Sequence, residues 1–270
     1  MSEELLIHPE PLTDFDRQQL TFLGREKTVY VSGEGPAVIV MSEMPGIYQL
    51  VADFARKVRD RGFTVWMPHL FGDDGRPPTP GYSLRSMARA CISREFRAFS
   101  ANRSSPVTDW LRALARHAHE TCGGPGVGAI GMCFTGNFAL NLMLEPSVLA
   151  PVLSQPSLPL GRKGGLHISP DELRCVRDRL EAEDLTVLGY CFEGDPFCRK
   201  ERFEEYSEAL GDRFQGTVLP AGSARQGTDM APHSVVTLHL IDEAGQPTRK
   251  ARDEILSFFE WRLLERRNNP

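Results

Sequence analysis

Gly131-Met132-Cys133-Phe134-Thr135-Gly136 is the stretch whose reading decides the fold of this chain. Val127–Met132 leads into it as a short apolar run, the pattern of a strand buried on both faces. Phe134–Leu144 leads out of it with helical character. A tight turn between a buried strand and a helix pushes one side chain out of the sheet, and small neighbours let the backbone make that turn. The side chain pushed out here is the Cys133 thiol. A helix N-terminus presents unpaired N–H groups and a positive dipole end, which favours a thiolate. Such settings lower a cysteine pKa from about 8.5 into the range of roughly 3.5–7.5. The plainer reading is a buried, inert thiol at a strand end.

Outward from that motif, apolar runs rich in β-branched residues alternate with segments of helical period. Leu20–Gly24 and Lys27–Ser32 read as an opening pair of strands, and Ala37–Ser42 as a fully buried one. Tyr48–Arg61 reads as a helix ended by Gly62, and Phe63–Met67 as the next strand. Gly72–Gly81 is a loop crowded with Gly, Pro and Asp, followed by helices over Leu84–Phe99 and Pro106–Thr121, the second capped by Ser105. Strands follow at Val148–Ser154, Thr186–Phe192 and Phe214–Leu219. Helices follow from Pro170, capped by Ser169, to about Glu183, then at Phe197–Leu210 and Thr248–Arg266. This alternation predicts an α/β fold: one domain over residues 1–270, with a mostly parallel sheet and helices on both faces. Residues 155–169 and 220–233 are long loops, the kind that carry function.

Composition narrows the partners. Against 31 Lys+Arg stand 36 Asp+Glu, a net charge of −5, which gives no electrostatic basis for nucleic acid or an anionic membrane. Arg262, Arg266 and Arg267 cluster near the C-terminus beside acidic neighbours and read as a solvated helix face. Met1–Glu10 carries Glu3 and Glu4 rather than a basic segment before an apolar run, so no secretory signal is expected. No apolar stretch approaches the roughly 20 residues a membrane span needs. The six cysteines form no C-x-x-C pair and read as reduced thiols, which implies a cytoplasmic location. The chain has neither H-E-x-x-H nor a strand-end G-x-G-x-x-G, so no metal and no cofactor is expected.

Two further residues fit a nucleophile at Cys133. In α/β-hydrolases the nucleophile precedes an acid after a later strand, and a histidine in a still later loop follows. Asp195 lies beyond Thr186–Phe192, and His233 lies in the loop after Leu219. His233 would act as general base and acid, with Asp195 orienting its ring. The alternatives are Asp195 as an N-cap of the following helix, Glu193 as the acid and His239 as the histidine. His239 sits in the apolar run Val235–Ile241 and reads as a core or strand residue. His117 and His119 are mid-helix and read as surface, His69 follows a strand end near a possible pocket, and His8 and His167 have no supporting context.

On these residues the chain resembles the dienelactone hydrolase family of α/β-hydrolases. The likeness runs along nearly its whole length: V-I-V-M-S-E-M-P-G at Val38–Gly46, then G-M-C-F-T-G, Gly194–Asp195 and Pro232-His233-Ser234. It implies a Cys-Asp-His triad of Cys133, Asp195 and His233. It also implies a glutamate, matched by Glu43, that contacts the nucleophile and helps to generate the thiolate. A carboxylate at a buried strand end is costly without a partner, and the plainer reading of Glu43 is a solvated turn residue. The implied oxyanion hole is the backbone N–H of Phe134 and of Met44, where loss of one donor typically costs roughly 2.7–4 kcal/mol.

The chain departs from the family in two places. Thr135 stands where the elbow usually has a small residue, often glycine, which implies a tighter turn or a narrower pocket. Family members that act on chloroaromatic breakdown products hold a substrate carboxylate with arginines, one of them shortly after the histidine. Ser234–Leu238 contains none, leaving Arg85, Arg89, Arg94 and Arg225 as candidates. The expected activity is hydrolysis of a small-molecule ester or lactone through an acyl-enzyme, by a monomer or small homo-oligomer. The rival readings are a thioesterase or other hydrolase on the same scaffold, and a non-catalytic binding protein of this fold.

Overall fold

The structure is a computed structural model and describes residues 12–265. His8, the Glu3–Glu4 stretch, Arg266 and Arg267 lie outside these residues. Eight strands form one sheet: β1 (Asp16–Phe22), β2 (Arg25–Ser32), β3 (Ala37–Met41), β4 (Thr64–Pro68), β5 (Val127–Met132), β6 (Val148–Ser154), β7 (Val187–Phe192) and β8 (Phe214–Leu219). Their spatial order is β1-β2-β4-β3-β5-β6-β7-β8. The hairpin β1–β2 and the β2–β4 pair are antiparallel, and every pairing from β4 through to β8 is parallel. The helices are α1 (Gln49–Arg59), α2 (Pro80–Ile92), α3 (Val107–Cys122), α4 (Phe138–Asn141), α5 (Pro170–Ala182), α6 (Lys200–Leu210) and α7 (Pro247–Leu263).

Strand β3 shows why its sequence is apolar throughout. Side chains alternate across a strand, so Ala37, Ile39 and Met41 enter one core while Val38 and Val40 enter the other. The first core is closed by Leu111 of α3, Val176 of α5 and Tyr206 of α6; the second by Phe54 of α1 and Phe259 of α7. Helices thus cover both faces, as the alternation predicted. Among the described residues, no helix is long and apolar enough to cross a membrane.

Several expected elements differ in bounds or caps, the first strand being Asp16–Phe22 rather than Leu20–Gly24, and four of them show a local reason. Helix α2 starts at Pro80, not Leu84, because Thr79 caps it by accepting from the Tyr82 amide at 3.4 Å and proline suits a first helical position. It stops at Ile92, where Ser93 turns extended, rather than at Phe99. Ser105 does not cap α3: its hydroxyl bonds the Phe96 carbonyl and meets His167 Nε2. The single helix expected over Phe134–Leu144 is a 3₁₀ turn at Cys133–Thr135, the short α4 and a second 3₁₀ turn at Leu142–Leu144. Bonds from Gly136 N to Cys133 O and from Glu145 N to Leu142 O tighten its two ends. Helix α6 begins at Lys200 rather than Phe197 because the Asp195 side chain takes the Phe197 and Cys198 amides first. The Ser169 cap of α5 is as expected and is reciprocated by Glu172, which accepts from the Ser169 amide.

Candidate active site

The parallel strands all point one way, so their C-terminal ends gather loops from distant parts of the chain at one rim. Cys133 follows β5 at that rim with φ +54°, a left-handed conformation costing a non-glycine residue about 1–2 kcal/mol. The two glycines of the motif make the turn possible. A side chain at Gly131 would collide with the Thr135 carbonyl, and one at Gly136 would sit 2.5 Å from Pro156 Cα. Thr135 is fully buried, and its hydroxyl accepts from the Met132 amide at 2.9 Å and donates to the Met41 carbonyl at 3.0 Å. The departure from glycine therefore ties the turn to the end of β3. The ring of Phe134 is anchored among Phe71 and Phe96, with centroids at 5.7 and 5.4 Å. The thiol keeps 8% exposure. A long helix dipole behind it, expected from the sequence, is replaced by the short turns described above.

His233 and Asp195 meet. His233 Nδ1 lies 2.7 Å from Asp195 Oδ2, both side chains buried, and the Phe197 ring stands edge-on over the imidazole at 5.2 Å. The other Asp195 oxygen, Oδ1, accepts from the amides of Phe197 and Cys198 at 2.8 and 3.0 Å. One oxygen of Asp195 thus meets the imidazole and the other binds the turn before α6; Asp195 is not the N-cap of that helix, a position held by Arg199, and the rival Glu193 is exposed. Burial opposes a charge on His233, but the adjacent Cys133 and the Asp195 carboxylate outweigh it and hold the ring well above its ordinary pKa. His233 Nε2 is buried without a hydrogen-bond partner in the geometry, which leaves it to exchange a proton with the adjacent Cys133 thiol. His239, the rival histidine, lies in a turn and not in a strand. Its Nδ1 accepts from the amides of His233 and Ser234 at 3.2 and 3.0 Å, which leaves the ring proton on Nε2, 3.0 Å from Thr228 Oγ1. Burial lowers its pKa, so it buttresses the His233 loop as a neutral ring.

Glu43 is 2% exposed and not a solvated turn residue. Its Oε1 accepts from Tyr48 at 2.6 Å and from the Thr237 hydroxyl, and its Oε2 from Gln155 Nε2 at 3.1 Å. Burial and the Glu43 carboxylate push the Tyr48 hydroxyl far above its ordinary pKa, so it remains a donor. Gln155 follows β6 with φ +37°, a second left-handed residue beside the first, and its Oε1 accepts from the Val235 amide at 3.3 Å. Strained backbone persists only where surroundings over-determine it, and here it marks both neighbouring strand ends. Arg202 of α6 is fully buried and holds the loop after β6 through the carbonyls of Pro156, Pro159 and Arg162 at 2.9–3.0 Å. Nothing in the sequence singles out Tyr48, Gln155, Thr237 or Arg202; the only available signal was the length of the loop 155–169.

The remaining candidates lie elsewhere. Arg85 and Arg89, one turn apart on α2, line a pocket of about 490 Å³ with Arg76, Phe71 and Phe96. Cys133 is not among its lining residues. Arg94 is exposed, and Arg225 donates to the Leu240 carbonyl at 3.0 Å. His69 pairs with Asp74 at 2.5 Å. His117 is half-buried rather than a plain surface residue: its ring packs against Phe22 and Trp66 at 5.6 and 5.7 Å. His167 is fully buried beside Ser105 and the Ser100 carbonyl, and burial depresses its pKa from 6.5 to about 4. Between those values the unfolded chain holds a proton that the folded chain refuses, so acidification favours unfolding. Stability is expected to fall by about 3 kcal/mol from this group as pH drops from 6.5 to 4. Urea unfolding at stepped pH checks this: His167→Gln flattens that slope, and an unchanged slope refutes the assignment.

This sheet order, with a strained turn after the central strand and a histidine–carboxylate pair from two later loops, is the α/β-hydrolase architecture. The chain belongs to the dienelactone hydrolase family, whose model matches residues 21–159, just over half of the sequence. It is thus a hydrolase of the ester- or lactone-cleaving type. The match includes Glu43 and Cys133 and ends before Asp195 and His233, short of the nearly full-length likeness expected from the motifs. The fold is similar to that of a putative dienelactone hydrolase from Klebsiella pneumoniae, at 18% identity and TM-score 0.63, covering 91% of this chain and 97% of that one. It is also similar to a cold-adapted esterase from an Arctic intertidal metagenomic library, at 12% identity and TM-score 0.57, covering 93% and 95%. A thioesterase domain from the curacin biosynthetic pathway shares it at 10% identity and TM-score 0.53, covering 90% and 99%. No curated protein matches the chain significantly in sequence.

Proposed function

We propose that this chain hydrolyses a lactone or carboxylic ester through an acyl-enzyme on Cys133, with His233 and Asp195 completing the triad. One observation carries the reading: a buried imidazole, bonded to a buried carboxylate through Nδ1 and unpartnered at Nε2, beside the thiol. Asp195 fixes the proton on Nδ1, so Nε2 takes the thiol proton, and the resulting thiolate attacks the substrate carbonyl. The developing oxyanion is received by the N–H groups of Phe134 and Met44. The tetrahedral intermediate collapses with His233 returning its proton to the leaving alcohol oxygen. Water, deprotonated by His233, then attacks the thioester, the C–S bond breaks and the acid departs. Glu43 is the second carboxylate at the site, oriented by Tyr48, Thr237 and Gln155 to influence the thiol's proton.

Rapid acid quenching during turnover of an activated aryl ester tests this directly. Mass spectrometry is expected to find the acyl group on the peptide that contains Cys133. An acyl mass on another residue, or turnover with no acyl-enzyme under burst conditions, removes the nucleophile assignment. Initial rates on oxygen esters and thioesters of equal chain length separate an esterase from a thioesterase.

A further inference from the structure

Ser157 lies in the loop after β6, buried, with its hydroxyl oxygen 3.5 Å from Cys133 Sγ and 3.2 Å from the Gln155 carbonyl. Its amide donates to the Cys133 carbonyl at 2.9 Å, so the two residues are held against each other by backbone as well as side chain. The hydroxyl has one hydrogen and two acceptors in reach. Which acceptor it serves depends on the charge of the sulfur, because a bond to an ionised acceptor is about twice as strong as one between neutral groups.

We propose that Ser157 is a further catalytic residue, donating to the Cys133 sulfur whenever that sulfur is a thiolate and turning to the Gln155 carbonyl when it is acylated. The inference rests on Cys133 being the nucleophile. In the free enzyme the hydroxyl stabilises the thiolate formed when His233 takes the thiol proton. During deacylation the C–S bond breaks and its electron pair returns to sulfur; the same hydroxyl then meets the leaving thiolate. No proton leaves Ser157 in either step.

The loop is built to keep that hydroxyl in place. Pro156 packs against Gly136 with no room for a side chain between them, and Arg202 fixes the Pro156 and Pro159 carbonyls on either side of Ser157. A buried arginine bonded to a run of carbonyls sets a loop's course rather than its charge. The titratable groups around the sulfur come from four other segments. They are His233 with Asp195 behind it, Glu43 after β3, and Tyr48 at the start of α1, which feels the charge on Cys133. None of these is bonded to Ser157, so removing its hydroxyl leaves their hydrogen bonds intact.

The experiment is the pH dependence of iodoacetamide alkylation at Cys133, read by peptide mass spectrometry on the full chain. Wild type, Ser157→Ala, Ser157→Gly and Ser157→Thr are compared after circular dichroism shows them folded. Both hydroxyl-free variants are expected to raise the midpoint by about one pH unit, a roughly tenfold loss of thiolate at neutral pH, with Ser157→Thr restoring it. Either hydroxyl-free variant decides the matter if the other fails to fold. A low wild-type midpoint that stays put without the hydroxyl overturns the role of Ser157 alone. A wild-type midpoint near that of a free thiol, with full turnover in Cys133→Ala, overturns the nucleophile reading and this inference with it.

Discussion

Cys133→Ala, folded as the wild type, lowers kcat on an activated aryl ester by about 10⁴-fold or more, because alanine leaves no atom that can form the acyl bond. The residual rate belongs to the oxyanion donors and to binding, which the substitution leaves in place. The fold should tolerate it. The thiol is small, its side chain meets the Ser157 hydroxyl, and the left-handed φ that strains cysteine strains alanine as well. Steady-state kinetics with melting curves on the same preparations check the prediction. Turnover within about tenfold of wild type would mean that another group performs the attack.

Asp195→Asn gives the second large loss, about 10³–10⁴-fold in kcat, with stability nearly unchanged. The two oxygens of Asp195 do different work. Oδ1 accepts the Phe197 and Cys198 amides and shapes the turn into α6, whereas Oδ2 fixes the proton on His233 Nδ1. Asparagine keeps an oxygen for the amides and presents an NH₂ to the imidazole. That donor forces the ring proton onto Nε2, the nitrogen that must stay bare to accept the thiol proton. Asp195→Ala removes both contacts and is expected to lose stability by about 1 kcal/mol or more as well, the usual scale for buried hydrogen bonds left unmade. Paired kinetics and denaturation of the two variants separate the roles. An Asn variant as active as wild type would show that the carboxylate serves only the turn.

The site was legible from the sequence where chemistry and chain order coincide. A cysteine between a buried strand and a turn, an acid after a later strand and a histidine in a later loop follow an order that the parallel sheet imposes. The sequence favoured His233 because His239 sits in the apolar run Val235–Ile241, but the contacts that separate the two rings were not legible. Folding turns the His233 ring to Asp195 and gives His239 the amides of His233 and Ser234 to accept. Helix ends were misread where a side chain, rather than periodicity, sets the boundary, as Thr79 and Asp195 do. The surroundings of Glu43 were equally hidden, because Tyr48, Gln155 and Thr237 are common neutral residues with no shared spacing.

By itself the sequence determined the layering of the sheet, the turn that carries Cys133 and the chain order of Cys133, Asp195 and His233. These follow from hydrophobic period, glycine placement and connectivity, all of which are local properties of the chain. Only the tertiary structure decided what surrounds the sulfur and the buried carboxylate. Hydroxyl, amide and carbonyl groups carry no pattern along the chain, and their partners exist only once the ends of β3, β5 and β6 stand side by side.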